Sequence, residues 1–321
     1  MALDMGRRSG VHEPRTIVVL RALGLGDLLT AIPALRGLRR RYPGARILLA
    51  APRHYRELAL LSGAVDDVVD TPGLGPLTEA PREPDLAVNL HGRGPQSISA
   101  LTELRPARLL THHHEDHPDI AGPPWRSDLH EVDRWCALLH WAGIDCRADD
   151  LAIDRPSGYA DNTGVVVIHP GAAAPARQWP PHRFAAVAAA LAGEGHRVVV
   201  TGSPAETDLV RTVVRQAGLP DSVMWPASGL PALAALISDC ALLVCGDTGV
   251  GHLATATGTP SVLLFGPTPP TLWGPRGDGR HIALWAGDCG DPHGDAPDPG
   301  LLLLTVPRVL DAARAALVGC R

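Results

Sequence analysis

Glycines and polar side chains follow short apolar runs at four places in this sequence. Apolar runs that end in glycine turns are typical of strands in a parallel sheet, and ligands bind beyond the carboxyl ends of such strands. A helix that begins at such a turn presents unpaired N–H groups and a partial positive charge, which favour phosphate. The sequence therefore predicts a phosphorylated ligand near these turns, which are GLGD (24–27), HPGAAAPARQWP (169–180), TGSPAE (201–206) and GDTGVGH (246–252).

The turn at 246–252 carries donors that suit a diphosphate. Thr248 and Gly249 begin the next predicted helix, so we expect their N–H groups and the Thr248 hydroxyl to point at the ligand. His252 lies one helical turn further on the same face. Asp247 would not bind phosphate, and we expect it to accept backbone N–H bonds or to orient a donor. The alternative is a glycine-rich helix start that only turns the chain.

Two other turns extend the predicted donor site. Arg177 follows a small-residue loop that includes Gly171, and its guanidinium could clamp a pyrophosphate with two hydrogen bonds. A solvated surface arginine is the alternative. Glu206, which follows Thr201 and Gly202, could accept hydrogen bonds from a ribose or could be an acidic residue of the first helical turn and nothing more.

The turn GLGD differs from the other three, because it offers a carboxylate. It is not a G-x-G-x-x-G motif, and the next apolar run (RILLAAP) does not end in an acidic residue, so a dinucleotide site is poorly supported. Asp27 at this turn is suited to act as a general base on an acceptor hydroxyl across a cleft. Stabilisation of the helix dipole by Asp27 is the alternative.

Composition narrows the chemistry further. The net charge of −5 argues against a nucleic-acid partner bound through bulk positive charge. All 29 basic residues are arginines, which excludes a P-loop lysine and a Schiff-base lysine. The sequence has no Asp-x-Asp pair, which weakens a metal-bridged mechanism, and we interpret the histidine-rich segment His112–His117 as a solvated loop rather than a metal site. No metal or cofactor is therefore expected.

The cysteines and the apolar runs bear on location. The six cysteines include no Cys-x-x-Cys pair, so we expect reduced thiols: Cys136, Cys146, Cys240, Cys245, Cys289 and Cys320. The first fifteen residues contain no apolar region typical of a secretory leader, and no apolar run is long enough to span a membrane, so we expect neither a leader nor a membrane span. It predicts a cytoplasmic protein, with peripheral contact at the inner membrane face left open.

The order of apolar runs predicts an α/β fold with two doubly wound halves. Strand, glycine turn, helix and strand follow one another from residue 16, and the same alternation restarts near residue 164 after a polar segment at 145–163. The predicted domains are 1–155 and 156–321. Ser127 is the expected N-cap of an amphipathic helix that ends the first half. The cleft between the halves is the predicted site.

These motifs together resemble the family 9 glycosyltransferases, whose best-known members are the lipopolysaccharide heptosyltransferases. The matching segments are RALGLGDLLTAIPALRGLRRRYPGARI, VIHPGAAAPARQWPPHRF, VVVTGSPAE and DTGVGHLATATGTPSVLLFGPTPP, and they cover nearly the whole chain in the family's order. The resemblance implies a GT-B fold of two facing Rossmann-like domains with parallel sheets. It also implies an acceptor-binding N-terminal domain, a donor-binding C-terminal domain and metal-independent inverting transfer, typically from ADP-heptose.

By position in these motifs, Asp27 resembles the family's catalytic base. Thr248, Gly249 and His252 resemble its diphosphate-binding turn, and Glu206 resembles its ribose- or base-contacting acid. Arg177 stands where lipopolysaccharide members tend to have a lysine.

The acceptor side departs from the pattern of the lipopolysaccharide members. Gln96 stands where they often have a basic residue, with His91 and Arg93 nearby, and Gly24 and Gly26 complete the expected acceptor-binding set. The acceptor is therefore left open among a lipopolysaccharide-type glycan, a cell-wall glycan and a secondary metabolite, as is the oligomeric state. The alternatives to a transferase are a GT-B-like sugar-nucleotide epimerase or hydrolase and a non-catalytic nucleotide-sugar-binding protein.

Overall fold

The computed structural model of the protein describes residues 13–226, 228–277, 280–287 and 289–318. Residues 16–141 form a five-stranded parallel sheet and its helices. Its strands are mostly buried apolar runs, as a parallel sheet covered by helices requires. The elements are β1 (Thr16–Leu20), α1 (Leu25–Arg41), β2 (Arg46–Ala51), α2 (Arg56–Leu61), β3 (Asp67–Asp70), β4 (Leu86–Asn89), α3 (Gln96–Thr102), β5 (Leu109–Leu110) and α4 (Glu131–Trp141).

Residues 165–318 repeat the plan with a second five-stranded parallel sheet. The elements are β6 (Val165–His169), α5 (Pro181–Gly193), β7 (Arg197–Val200), α6 (Thr207–Gln216), α7 (Leu230–Asp239), β8 (Leu242–Gly246), α8 (Gly249–Thr257), β9 (Ser261–Leu264), α9 (Pro270–Trp273), β10 (His281–Leu284), α10 (Pro299–Leu302) and α11 (Val306–Val318).

The strand orders locate the site within each sheet. The first sheet has the order β3-β2-β1-β4-β5 and the second β10-β9-β8-β6-β7, so the winding reverses between β1 and β4 and between β6 and β8. Ligands of doubly wound sheets bind outside the carboxyl ends of the strands at such points. Three of the four glycine turns follow β1, β6 and β8 directly. The predicted class, an α/β fold of two Rossmann-like halves, is confirmed.

Helix α1 packs against α8 and joins the two halves. Leu28 and Ile32 of α1 share one buried apolar cluster with Leu253 and Ala254 of α8. Because each helix begins at a glycine turn, this packing brings the turns of the two halves together. The segment 145–163 is described throughout and contains no helix or strand. The division at residue 155 stays a prediction.

Helix α4 begins later than expected. The prediction that Ser127 caps it is wrong, because the helix starts at Glu131 and a ring nitrogen of His130 accepts the Val132 N–H at 3.2 Å. Residues 127–129 form a turn before that cap. The later start places Glu131 in the buried first turn.

Two cysteines are paired, so the expectation of reduced thiols is wrong for them. Cys136 on α4 and Cys146 form a disulfide, with their Cα atoms 5.1 Å apart. Gly143, with a φ of +73°, reverses the chain after α4 and returns Cys146 to the helix. Cys240 and Cys245 are buried thiols, and burial raises the pKa of Cys240 to about 12. Cys320 lies outside the described residues.

No helix in the described ranges is both long enough and apolar enough to cross a bilayer.

Candidate active site

A cavity of about 1000 Å³ lies where the carboxyl ends of the two sheets face each other. The N-terminal half contributes residues 23–27 and the pair His54 and Tyr55. The C-terminal half contributes residues from the three turns that follow β6, β7 and β8, and it adds Trp225, Leu230, Leu233 and Trp273. The cavity is therefore large enough for a nucleotide sugar and is bounded by both halves.

Asp27 is the third residue of α1, and its carboxylate lines the cavity. One oxygen accepts the Gly24 N–H at 3.1 Å, which closes a capping box at the helix start. The other lies 3.0 Å from the guanidinium of Arg21. With 26% of its side chain exposed, Asp27 is held on both oxygens and still reaches solvent. Asp27 thus caps its helix and also faces the cavity, so a role at the helix start is compatible with a role as general base.

Arg21 is buried directly beneath this carboxylate, with 1% of its side chain exposed. It donates to the backbone oxygens of Asp27 at 2.9 Å and Leu90 at 2.5 Å, and to Glu131 Oε1 at 2.8 Å. Glu131 also accepts from Trp135 Nε1 at 3.0 Å and pairs with Arg134. A buried guanidinium that meets two carboxylates and two carbonyls is fully satisfied, so Asp27 rests on a rigid support.

The turns at 24–27 and 246–252 touch across the cleft. A Cβ on Gly26 would lie 2.6 Å from the His252 ring, and a Cβ on Gly249 would lie 2.7 Å from Leu25 Cβ. Both glycines therefore permit a close approach that a side chain would block. Thr248 is the N-cap of α8 in an extended conformation, and Thr248 and Gly249 line the cavity, while their role as a diphosphate turn stays a prediction.

His252 is held neutral at the contact between the halves. Burial, with a smaller contribution from the nearby His130, lowers its pKa to about 4. Its ring packs edge-on against Trp273, with 5.8 Å between centroids. His252 can therefore act toward a ligand as an uncharged hydrogen-bonding group at neutral pH.

Arg177 and Asp247 face each other at the donor side of the cavity. Arg177 ends a short 3₁₀ turn, Pro175–Arg177, and its guanidinium lies 3.9 Å from an Asp247 carboxylate oxygen and 3.4 Å from the Asp247 backbone oxygen. The Arg177 Nε is buried and has no hydrogen-bond partner. Burial raises the pKa of Asp247 to about 6, opposed by the Arg177 charge. Asp247 therefore orients Arg177, which keeps a donor available for an anion.

Glu206 lies against the first glycine of the turn after β6. A Cβ on Gly171 would fall 2.1 Å from Glu206 Oε1, and Glu206 Oε2 accepts the Ser203 N–H at 2.8 Å. Nearby, His169 Nδ1 lies 3.0 Å from Thr201 Oγ1, and burial lowers the pKa of His169. Glu206 thus caps a 3₁₀ turn and also lines the cavity. Of the predicted donor residues, Gly171 alone is not among those that line the cavity: Arg177, Thr201, Gly202, Glu206, Asp247, Thr248, Gly249 and His252 do.

The predicted acceptor residues separate into two groups. Gly24 and Gly26 line the cavity, whereas His91, Arg93 and Gln96 do not. His91 lies near Arg21 and Asp27, where burial and the Arg21 charge lower its pKa, and its Nδ1 is buried without a partner. Arg93 and Gln96 are exposed.

The histidine-rich segment is partly buried, so the expectation of a solvated loop is wrong for His112. Its ring packs edge-on against Trp125 and Trp135, with centroid distances of 5.1 and 5.9 Å. His117 Nε2 lies 3.2 Å from Ser99 Oγ, and His114 Nδ1 accepts the Asp116 N–H. Within the described ranges, no group of histidine, cysteine and acidic residues is arranged to hold a metal ion.

The sequence matches the model of glycosyltransferase family 9 (heptosyltransferase) over residues 123–290, just over half of the chain. The chain belongs to glycosyltransferase family 9. Lipopolysaccharide heptosyltransferase 2 of Escherichia coli (strain K12) is 26% identical over 351 aligned positions, which cover 94% of this chain and 98% of that protein.

Solved structures of family 9 glycosyltransferases share the whole fold. A family 9 glycosyltransferase from Veillonella parvula DSM 2008 has a TM-score of 0.80 at 22% identity and covers 97% of this chain and 100% of its own. The E. coli ADP-heptose lps heptosyltransferase II has a TM-score of 0.77 at 22% identity, covering 95% of this chain and 99% of its own. The expected GT-B fold and an enzyme of the glycosyltransferase class are confirmed.

Several residues of this family 9 site were not predicted from the sequence. Arg21 ends an apolar strand, and Glu131 lies 110 positions away in a helix whose start was placed too early. His54 and Tyr55 follow β2 in a short 3₁₀ turn, and Trp225 precedes α7. The one available hint was Arg21 itself, since a charge at the end of a buried strand requires a partner.

Proposed function

We propose that this family 9 glycosyltransferase moves a heptose from ADP-heptose to a hydroxyl of a glycan or secondary-metabolite acceptor, with inversion and without a metal ion. The observation that carries the proposal is that Asp27 of the N-terminal half and the phosphate-type turns of the C-terminal half line one cavity. The names of the relatives support the choice of donor, since the structural neighbour from E. coli is described as an ADP-heptose enzyme. A lipopolysaccharide-type glycan or a secondary metabolite is the proposed acceptor class.

The donor diphosphate would bind at the start of α8. The Gly249 N–H and the Thr248 hydroxyl are the donors there, and the unpartnered Arg177 Nε supplies a charge-assisted hydrogen bond. These groups stabilise the negative charge that develops on the departing diphosphate. They give this protein a source of leaving-group stabilisation in its own side chains and backbone.

The nucleoside would occupy the end of the cavity farther along the C-terminal half. Trp225, Leu230 and Leu233 provide an apolar surface for a base, and Glu206 offers a carboxylate to ribose hydroxyls. This arrangement orients the sugar toward the N-terminal half, where Asp27 lies.

Asp27 would remove the proton from the acceptor hydroxyl. The oxygen then bonds to the anomeric carbon while the bond from that carbon to the diphosphate oxygen breaks, and the nucleoside diphosphate leaves with the electron pair. In the proposed step the hydroxyl attacks from the face opposite the diphosphate, which inverts the anomeric centre, and the cavity that Asp27 and the donor turns share would hold both substrates.

Nucleotide binding and transfer test this proposal separately. Thermal unfolding with ADP, UDP, GDP and TDP, each with and without Mg²⁺, should show stabilisation by ADP that does not depend on magnesium. Transfer from ADP-heptose, followed by NMR of the anomeric proton, should show inverted configuration in the product. Retained configuration or stabilisation by another nucleotide alone would contradict the mechanism or the donor, respectively.

A further inference from the structure

Two aromatic rings stand on the cavity wall that carries Asp27. His54 and Tyr55 belong to the 3₁₀ turn Arg53–Tyr55, which follows β2, and their ring centroids are 4.1 Å apart. Both line the cavity, His54 exposed and Tyr55 half-buried. Nothing in the donor site described above uses them.

Tyr55 lies close to the catalytic turn. Burial raises the pKa of Tyr55, the Asp27 charge raises it further, and a hydrogen bond from the Leu25 backbone opposes both. The ring therefore lies beside the turn that carries the proposed base, in the cavity that Arg177 of the other half also lines.

The charges near this wall are already neutralised by ion pairs. Arg53 is bound to Asp70 and Glu79, with N···O distances of 3.2 and 3.0 Å, and Arg56 is bound to Asp67 at 2.7 Å. Arg53 and Arg56, which flank the two rings in the sequence, are therefore already bound to carboxylates.

Asp27 is the one carboxylate or arginine that lines the cavity on the acceptor side among the described residues, and its partner Arg21 is buried beneath it. Among the described residues that line the cavity, Arg177 is the single arginine, and it belongs to the opposite half. The N-terminal wall carries one carboxylate, Asp27, and the two aromatic rings. An acidic group on the acceptor would lie near Asp27, and Arg21 could not bind that group, because its guanidinium is buried and already bound to Asp27, Glu131 and two backbone oxygens.

We propose that His54 and Tyr55 form the acceptor subsite and that it takes a sugar ring without an acidic group. The apolar face of a pyranose packs against the rings, and its hydroxyls reach the imidazole and the phenol. This inference rests on the proposed function in one respect, that Asp27 is the base that the acceptor hydroxyl must reach.

A matched pair of ligands tests the subsite without any turnover. Methyl β-D-glucopyranoside and methyl β-D-glucuronide differ only at C6, where the second carries a carboxylate. Saturation-transfer NMR on the protein saturated with ADP should show the glucoside binding about tenfold more tightly than the glucuronide, because the carboxylate of the glucuronide would lie near Asp27 in a solvated cavity. Asp27→Asn should narrow that ratio.

Variants locate the binding. Tyr55→Ala should abolish the glucoside signal and His54→Ala should weaken it, whereas Tyr159→Ala, at a partly exposed tyrosine outside the cavity, should leave it unchanged. Stabilisation by ADP should persist in all three variants. A variant that has lost ADP binding would therefore be recognised separately from one that has lost only glucoside binding. Equal or tighter binding of the glucuronide, especially if Arg93→Ala removes it, overturns the inference. Failure of both glycosides to bind while ADP still stabilises the protein also overturns it.

Discussion

The Arg21 guanidinium and the Asp27 carboxylate are joined twice, through a 3.0 Å ion pair and through a 2.9 Å hydrogen bond from Arg21 Nε to the Asp27 backbone oxygen. The same guanidinium binds Glu131 on α4. The proposed base is therefore supported from beneath, through Arg21, by a helix distant in the sequence, and its orientation depends on that helix.

Replacing the proposed base should separate chemistry from donor binding. Asp27→Asn keeps an oxygen that can accept the Gly24 N–H but removes the group that takes the proton. We expect kcat to fall by about 10²- to 10⁴-fold, the usual contribution of a general base, with the ADP-induced thermal shift unchanged. Asp208→Asn, at a carboxylate with 95% of its side chain exposed, is the matched control. A drop of less than about threefold in steady-state transfer would exclude Asp27 as the base.

Removing the support should cost both stability and rate. Glu131→Ala leaves the buried Arg21 without its second carboxylate, and breaking a buried pair costs about 3–5 kcal/mol. Because Asp27 loses a rigid neighbour, kcat should fall while the Kd for ADP holds. Denaturant unfolding, calorimetry and steady-state rates measure these three quantities.

The control for this variant is an exposed glutamate in the first turn of another helix. Glu57→Ala, in the first turn of α2, should change the free energy of unfolding by no more than about 0.5 kcal/mol. Equal destabilisation by both changes would argue against a special role for Glu131.

The donor site should depend on Arg177. Arg177→Gln removes the unpartnered Nε and the charge beside Asp247, so we expect ADP to bind about 10²-fold more weakly, in line with the loss of one charge-assisted contact. Isothermal calorimetry measures this, and Arg211→Gln on α6, with 56% of the arginine side chain exposed, is the control. Unchanged ADP affinity would remove Arg177 from the donor site.

Asp247 and His252 should give opposite pH dependences of stability. The pKa of Asp247 is raised to about 6 from 3.8, so its contribution is present below pH 3.8 and lost as pH rises through 6. The pKa of His252 is lowered to about 4 from 6.5, so its contribution is present above pH 6.5 and lost as pH falls through 4. Each shift corresponds to about 3 kcal/mol.

Differences between variants isolate these two groups from the other titrating residues. The free energy of unfolding of the wild type minus that of Asp247→Asn should fall as pH rises from 4 to 6. The corresponding difference for His252→Gln should rise between pH 4 and 6.5. Urea unfolding over a pH series measures both, and a flat difference for either variant would mean that its group is not perturbed.

The contact between the two halves should tolerate no side chain at Gly249. Gly249→Ala places a methyl group 2.7 Å from Leu25 Cβ, which should push the two turns apart and destabilise the protein by about 1–3 kcal/mol. Transfer should slow, since base and diphosphate turn move relative to each other. Gly193→Ala, at the end of α5 with no atom near the added methyl, should be neutral or stabilising. A rate for Gly249→Ala equal to that of the wild type would mean the turns need not touch.

Local patterns in the sequence determined the two parallel α/β halves and the four turns. An apolar run, a glycine turn and a helix start are specified by neighbouring residues, so the turns and residues such as Asp27 and Thr248 could be predicted before any contact was known. Asp27 follows β1 and Thr248 follows β8, and the strand order places both of these strands where the winding of their sheet reverses.

Tertiary structure alone decided what surrounds those residues. Arg21 meets Glu131, Cys136 meets Cys146 and Tyr55 meets the Asp27 turn because α4 and β2 pack beside α1 and β1 in space. No local pattern encodes such a partner, since burial depends on which elements the whole chain places together. The start of α4 was likewise settled by the ring of His130 rather than by a serine with good capping propensity, because the cap that forms is the one the surrounding fold permits.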